Sequence, residues 1–288
     1  MIKIYDRENQ TYCTEVQYGE KMLNFLYHTV WGRIMLKLIA NRSFSRLNAV
    51  YNNSKSSISK INPFIEKYNI KINDFESKEY QSFNDFFTRS MLQGKRNICM
   101  EPERLIAPAD SKLLVYHITE NLKISVKNSI YSMDEILRDR VLSKEYENGL
   151  CLVYRLTVDD YHRYCYIDDG EIVGQKRIKG KLHTVSSISK DYKVYLENQR
   201  EYQVINTKYL GSIIQMEVGA MLIGRIVNTQ SKLVLRGEEK GYFSYGGSTI
   251  IVFIKANHVI IDADIMKHSQ EQIETMVKYG EAVGRIIC

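Results

Sequence analysis

From residue 20 to about residue 92, apolar positions recur at intervals of three and four: Leu23, Tyr27, Val30, Ile34 and Leu38, then Phe83, Phe86, Phe87 and Met91. Residues so spaced share one face of an amphipathic helix. Beyond Leu105 the pattern shortens to alternating or continuous apolar runs: KLLVYHIT, LKISVK, CLVYRLTV, YQVIN, SIIQMEV, TIIVFI and HVIID. Gly, Asn, Lys-Gly and Asp-Gly separate them, so they predict short strands joined by turns. SMDEILRDRV interrupts these strands as a helix, with Ser132 and Glu135 at capping-box spacing. NNSKSSISK, residues 52–60, reads as a connector. The fold class this predicts is α+β: a helical region over residues 1–92, then a β-rich body over residues 93–288. No repeat of fixed period occurs, and neither GxGxxG nor GxxxxGK[ST] is present, which removes the common phosphate-cradling loops.

Composition adds a boundary condition. A chain of 288 residues with three prolines, 21 tyrosines, 44% hydrophobic and 26% charged residues can bury a substantial core. Its five cysteines, Cys13, Cys99, Cys151, Cys165 and Cys288, are odd in number and contain no CxxC pair, which argues against a disulfide framework or a zinc ribbon. No His/Cys spacing suits a metal. The start, MIKIYDRENQ, lacks the apolar core of a secretory signal, so residence in a reducing cytoplasm is expected. Met22 to Ala40 is nearly long enough to span a bilayer, but His28, Gly32, Arg33 and Lys37 interrupt it.

Charge is unevenly placed. Between Lys21 and Lys71 stand nine Lys or Arg and one acid, Glu66, a local excess larger than the +6 of the whole chain. A basic, aromatic, helical segment fits a surface lying on anionic lipid, and it equally fits a solvated face on an ordinary helix. Nucleic acid is disfavoured, because the basic residues alternate with long apolar ones and match no binding motif.

The body holds the groups an acyl-transfer centre needs. Ser248 in GGST can be a nucleophile, His162 in DDYHRYCYIDDG can take its proton, and Asp110 in APADSKLL can hold that imidazole in the right tautomer. Each has a plainer reading: a turn serine, a strand histidine, a turn aspartate. Gly246 and Gly247 leave the backbone before Ser248 bare, which suits a tight turn and equally suits a strained, attackable peptide bond.

Six motifs then fall in one order: SFNDFFTR at 82–89, APAD at 107–110, DYHR at 160–163, NQR at 198–200, VGAMLIGRI at 218–226 and KGYFSYGGST at 240–249. In this the chain resembles the phosphatidylserine decarboxylases, self-processing enzymes with a pyruvoyl group. The resemblance implies that Ser248 attacks the carbonyl of Gly247, that the chain is cut there into residues 1–247 and 248–288, and that Ser248 becomes the covalent pyruvoyl (pyruvate) cofactor. It implies a Schiff base between that ketone and the amine of phosphatidylserine, and His162 as proton donor after carbon dioxide leaves. The implied partners are phosphatidylserine in an anionic membrane surface and the two cleavage chains for each other, with a homo-oligomer left open; the implied location is the cytoplasmic side of the cell membrane, peripherally. Departures are Ser111 where the family often has glycine, Gly246 in place of a frequent leucine, and Cys165 where many members carry a second histidine. The last places the base on His162. Other readings are a pyruvoyl decarboxylase for a soluble amino acid, a serine hydrolase that does not cleave itself, and a lipid-surface binding module.

Overall fold

The computed structural model describes residues 2–15, 19–126, 129–184, 193–221, 225–246 and 248–287. Its centre is a ten-stranded sheet. In spatial order the strands are Leu233–Val234, Gly170–Ile178, Arg200–Thr207, Ser212–Gly219, Ser248–Ile254, Leu150–Leu156, Ser111–His117, Glu274–Val277, Ile2–Asp6 and Thr11–Glu15. All pairings are antiparallel except Ile2–Asp6 on Glu274–Val277.

The sequence runs explain the depth of this sheet. TIIVFI and CLVYRL are buried at every position because both faces of those strands are covered. Ile250, Val252 and Ile254 face one core with Leu152, Tyr154 and Leu156, whereas Ile251 and Phe253 face a second core with Cys151 and Val153. The first core is closed by a three-stranded sheet of Ile226–Asn228, Glu239–Phe243 and Arg163–Cys165. The second is covered by the helix Met133–Leu137 and the hairpin Lys123–Val126 with Ser129–Ser132.

The helical region consists of Glu20–His28, Val30–Ile39, Arg42–Asn52, Ile61–Tyr68 and Phe83–Phe87. A β-carbon at Gly32 would lie 1.9 Å from the carbonyl oxygen of Phe25, so only glycine lets the first two helices meet there. The first two helices dock on the body through Leu26, Tyr27, Leu36 and Met221, and the Leu182 N–H donates to the Ala40 carbonyl. No helix among the described residues is long and apolar enough to cross a membrane.

Three local expectations are corrected. The region 1–92 is not helical throughout: Ile2–Asp6 and Thr11–Glu15 form a hairpin inside the body's sheet. The Ser132 segment is two helices, Met133–Leu137 and Arg140–Lys144, broken at Arg138 with φ of 49°; the Ser132 hydroxyl bonds to Asp134 instead of capping. Finally, the connector 52–60 contains a 3₁₀ turn, Lys55–Lys60, whose buried Ser57 hydroxyl donates to the Asn52 and Ser54 carbonyls and accepts from Phe83 N–H.

Candidate active site

Ser248 opens the central strand Ser248–Ile254, flanked in register by Gly219 on one side and Leu156 on the other. Its side chain shares the face of Ile250 and Val252, toward the three-stranded sheet; Thr249, one residue on, points to the opposite face. Thr249 therefore does not share a side with the Ser248 hydroxyl. Ser248 is 0% exposed, and its Oγ has no hydrogen-bond partner among the described residues. Leaving a hydroxyl buried and unpaired is costly, so such a group calls for a function.

Six residues beyond Leu156 the chain returns as His162, only 1% exposed. Its Nδ1 lies 2.9 Å from the Asp160 carbonyl oxygen. A carbonyl only accepts, so Nδ1 carries the proton and Nε2 holds a lone pair. Nε2 is buried and, like Ser248 Oγ, has no partner among the described residues. Burial pushes the imidazole down to about 4, helped by the charge of Arg89, which keeps it neutral at pH 7.

The helix Phe83–Phe87 packs against both the histidine loop and the turn that leads to Ser248. Ser82 caps it by accepting from Asp85 N–H, and Phe83, Phe86 and Phe87 are buried. The Phe87 ring packs on His162 with centroids 4.3 Å apart and on Tyr245 at 5.2 Å. Asn84 Oδ1 accepts from Tyr245 N–H at 3.0 Å, and the His162 carbonyl accepts from Phe243 N–H. The turn leading to Ser248 is thus fixed against the histidine loop. Gly246 in that turn has φ of 137°, a conformation that side chains disfavour. Gly247, the residue expected to precede the cut, lies outside the described residues.

Asp110 is not brought to the imidazole. Its oxygens accept from Arg96 Nε at 3.1 Å and Nη2 at 2.5 Å, and from Tyr279 N–H at 2.8 Å. The orienting partner of His162 is instead the Asp160 carbonyl. Cys165 is buried with its thiol pushed up to about 12 by burial, so it remains protonated and is no substitute base. His183 is buried, with Nδ1 3.3 Å from Tyr27 Oη and its backbone N–H donating to Asn198 Oδ1; Asn198 Nδ2 in turn donates to the carbonyls of His183 and of Gly219, the register neighbour of Ser248. The NQR motif is architectural: Arg200 donates to the carbonyls of Glu135, Ile136, Leu196 and Asn198. Sequence reasoning missed Asn84, Phe87 and Asp160, although all three sit inside motifs it had singled out. No group of three or more His, Cys, Asp and Glu suited to a metal occurs among the described residues.

A buried serine hydroxyl at the mouth of a central strand and a neutral imidazole with a free lone pair are the groups that serine-based covalent chemistry uses. Comparison with known proteins gives the family. Residues 83–285 match the family model described as Phosphatidylserine decarboxylase. Phosphatidylserine decarboxylase proenzyme 2 of Clostridium acetobutylicum is 53% identical over 285 residues, covering 98% of each chain. The phosphatidylserine decarboxylase proenzymes of Clostridium tetani and Ruminiclostridium cellulolyticum are 39% and 38% identical, each covering all of this chain and 99% and 98% of their own. The chain belongs to the phosphatidylserine decarboxylase family, a family of decarboxylating enzymes.

Proposed function

We propose that this chain is a precursor that cuts itself between Gly247 and Ser248 and then converts phosphatidylserine to phosphatidylethanolamine and carbon dioxide. The carrying observation is that Ser248 Oγ and His162 Nε2 are both buried without a hydrogen-bond partner among the described residues, with the Phe87 ring packed on His162 and on Tyr245 of the turn before Ser248.

Maturation is derived from these residues. His162 Nε2 takes the Ser248 hydroxyl proton while Oγ attacks the Gly247 carbonyl carbon. The Gly247–Ser248 C–N bond breaks, the amine leaves with a proton, and an ester replaces the amide. Removal of the Ser248 α-proton then breaks the Cβ–Oγ bond, releasing Gly247 as a carboxylate and leaving a dehydroalanine. Its enamine tautomerises to an imine, and water hydrolyses it to a ketone and ammonia. Residues 249–254 stay paired with the flanking strands, which holds the small chain in place. Asp110, engaged by Arg96 and Tyr279, fixes the turn at 107–110 beside Tyr161 and acts on the loop rather than on the imidazole.

The pyruvoyl group fits this place, since Ser248, whose Cα and Cβ would become its ketone carbon and methyl, is fully buried opposite Gly219, which presents no side chain on the neighbouring strand. Its ketone supplies a sink for the electrons released with carbon dioxide. His162 Nε2 is positioned to hold the proton that replaces the lost carboxyl group. Substrate reaches this centre from a membrane: Val30, Trp31, Leu38, Leu47 and Val50 are exposed on a strongly basic helical region, an arrangement for lying on an anionic leaflet. The location that follows is peripheral, on the cytoplasmic side of the cell membrane.

Intact mass tests the reading. The wild-type protein should give two chains, with the smaller starting in a carbonyl and losing carbon dioxide from phosphatidylserine vesicles but not from free serine. Ser248→Ala should give one inactive chain. Normal cleavage in Ser248→Ala would end the proposal, and a single active wild-type chain would favour a hydrolase.

A further inference from the structure

Lys112 is 5% exposed, yet it is a lysine in the middle of a sheet. It stands directly across from Arg155 on the neighbouring strand, so two buried cations oppose each other. Like charges in that register repel, and each needs its own carboxylate. Arg155 has Glu274 and Glu15. Lys112 has Asp160, with Nζ 2.7 Å from both carboxylate oxygens and 2.6 Å from Thr157 Oγ1. Asp160 Oδ2 in turn accepts from Thr157 N–H at 2.7 Å and Thr157 Oγ1 at 2.9 Å, and Asp160 N–H donates to the Thr157 carbonyl. Thr157 and the Asp160 carboxylate are thereby tied to Lys112 on the strand Ser111–His117. The carbonyl of the same Asp160 holds His162 Nδ1.

We propose that the Lys112–Asp160 ion pair is the positioning device of His162, fixing the carbonyl that selects its Nδ1–H tautomer and so leaving Nε2 as the base. The role that a carboxylate at Asp110 would fill by direct contact is filled one step removed, by a buried pair that clamps the loop. Lys112 and Asp160 are positioning residues: neither side chain touches Ser248 or the imidazole. The pair also joins the segment after Asp110 to the segment before His162, so the two motifs are held by one contact. Arg155, Arg89, Asp159 and Arg163 are further charged groups around this loop, and among the described residues none of them is hydrogen-bonded to the imidazole ring. The inference rests on the reading of His162 as the base.

The test uses the full chain. In Ser248→Ala protein, which stays uncut on that reading, nitrogen NMR of labelled histidine should show His162 as a single Nδ1–H tautomer. Added Lys112→Met should turn this into a mixture of tautomers, whereas added Asp110→Asn should leave it single. In the chain with Ser248 intact, Lys112→Met should slow self-cleavage about 10- to 100-fold, part of the ~10²–10⁴ a positioned base supplies. Removing one charge also strands its partner, so Lys112→Met with Asp160→Asn, which strands neither, separates folding from positioning. That double variant should fold and still show mixed tautomers and slow cleavage. An Nε2–H tautomer in Ser248→Ala alone overturns the proposal whatever the variants do. So does cleavage within twofold of wild type in the double variant, or tautomer loss in Asp110→Asn but not in Lys112→Met. Cleavage of Ser248→Ala itself would instead sink the reading of Ser248, which is a different result.

Discussion

His162 shows how little of a residue's chemistry resides in its type. An imidazole in water titrates near neutrality; this one is buried against Phe87 and has no hydrogen-bonded carboxylate among the described residues, so its neutral form is favoured down to about 4. The sign follows from the direction of the shift. Between pH 6.5 and 4 the unfolded chain binds a proton at this residue and the folded chain does not, so its contribution to stability falls as pH drops through that window. Asp160 acts in the opposite sense, because burial raises its carboxyl to about 6 and the folded chain holds that proton longer. A bulk stability curve would blend the two. The clean measurement is an NMR titration of His162 in Ser248→Ala protein: the ring should remain neutral at pH 5 and gain its proton near 4. A midpoint at 6.5 would mean that the ring is solvated.

At the level of elements, the helix Phe83–Phe87 is only five residues long yet meets both the histidine and the turn before Ser248. Phe87 touches the histidine and Tyr245, Asn84 holds the Tyr245 backbone, and the Thr88 carbonyl accepts from Arg163. The sequence marks Phe83, Phe86 and Phe87 as a helical apolar face, which is correct, but the period alone cannot say that this face packs on the histidine loop. Phe87→Ala should cost about 3–5 kcal/mol, a melting-point loss of roughly 6–20 °C for a chain of this size, measured by calorimetry in the Ser248→Ala background. In the chain that retains Ser248 it should also slow cleavage. Cleavage at wild-type rate beside the full stability loss would show that the ring is core and not a wall of the site.

For the molecule as a whole, the question is why a chain with a self-sufficient sheet also carries the basic helices. They bury a small core of their own with Leu23, Leu26, Leu36 and Ala40, and leave Trp31 75% and Leu47 70% exposed. Large apolar side chains left in water beside nine basic residues fit an anionic bilayer surface better than they fit solvent. Co-sedimentation with phosphatidylserine vesicles should weaken as salt rises, and Trp31→Asp with Leu47→Asp should lower binding at least about tenfold, since even half-burying each side chain is worth about 1 kcal/mol. Equal binding by the double variant, or to uncharged vesicles, would remove the helices from the lipid contact.

The alternating and continuous apolar runs after Leu105 determined the central strands, because burial on one or two faces imposes a period that a short window already contains. The same local chemistry determined which residues could react: a serine after two glycines, a histidine in DYHR, an aspartate in APAD. What surrounds them was decided only in three dimensions. The first strand pairs with residues 274–276, Arg96 claims Asp110, and Lys112 reaches Asp160 across 48 positions, and no local period encodes such partners. Hydrogen bonds and buried charges take their partners from whatever the fold brings near, so the candidate reacting groups are written along the chain, while their protonation, orientation and company arise from packing.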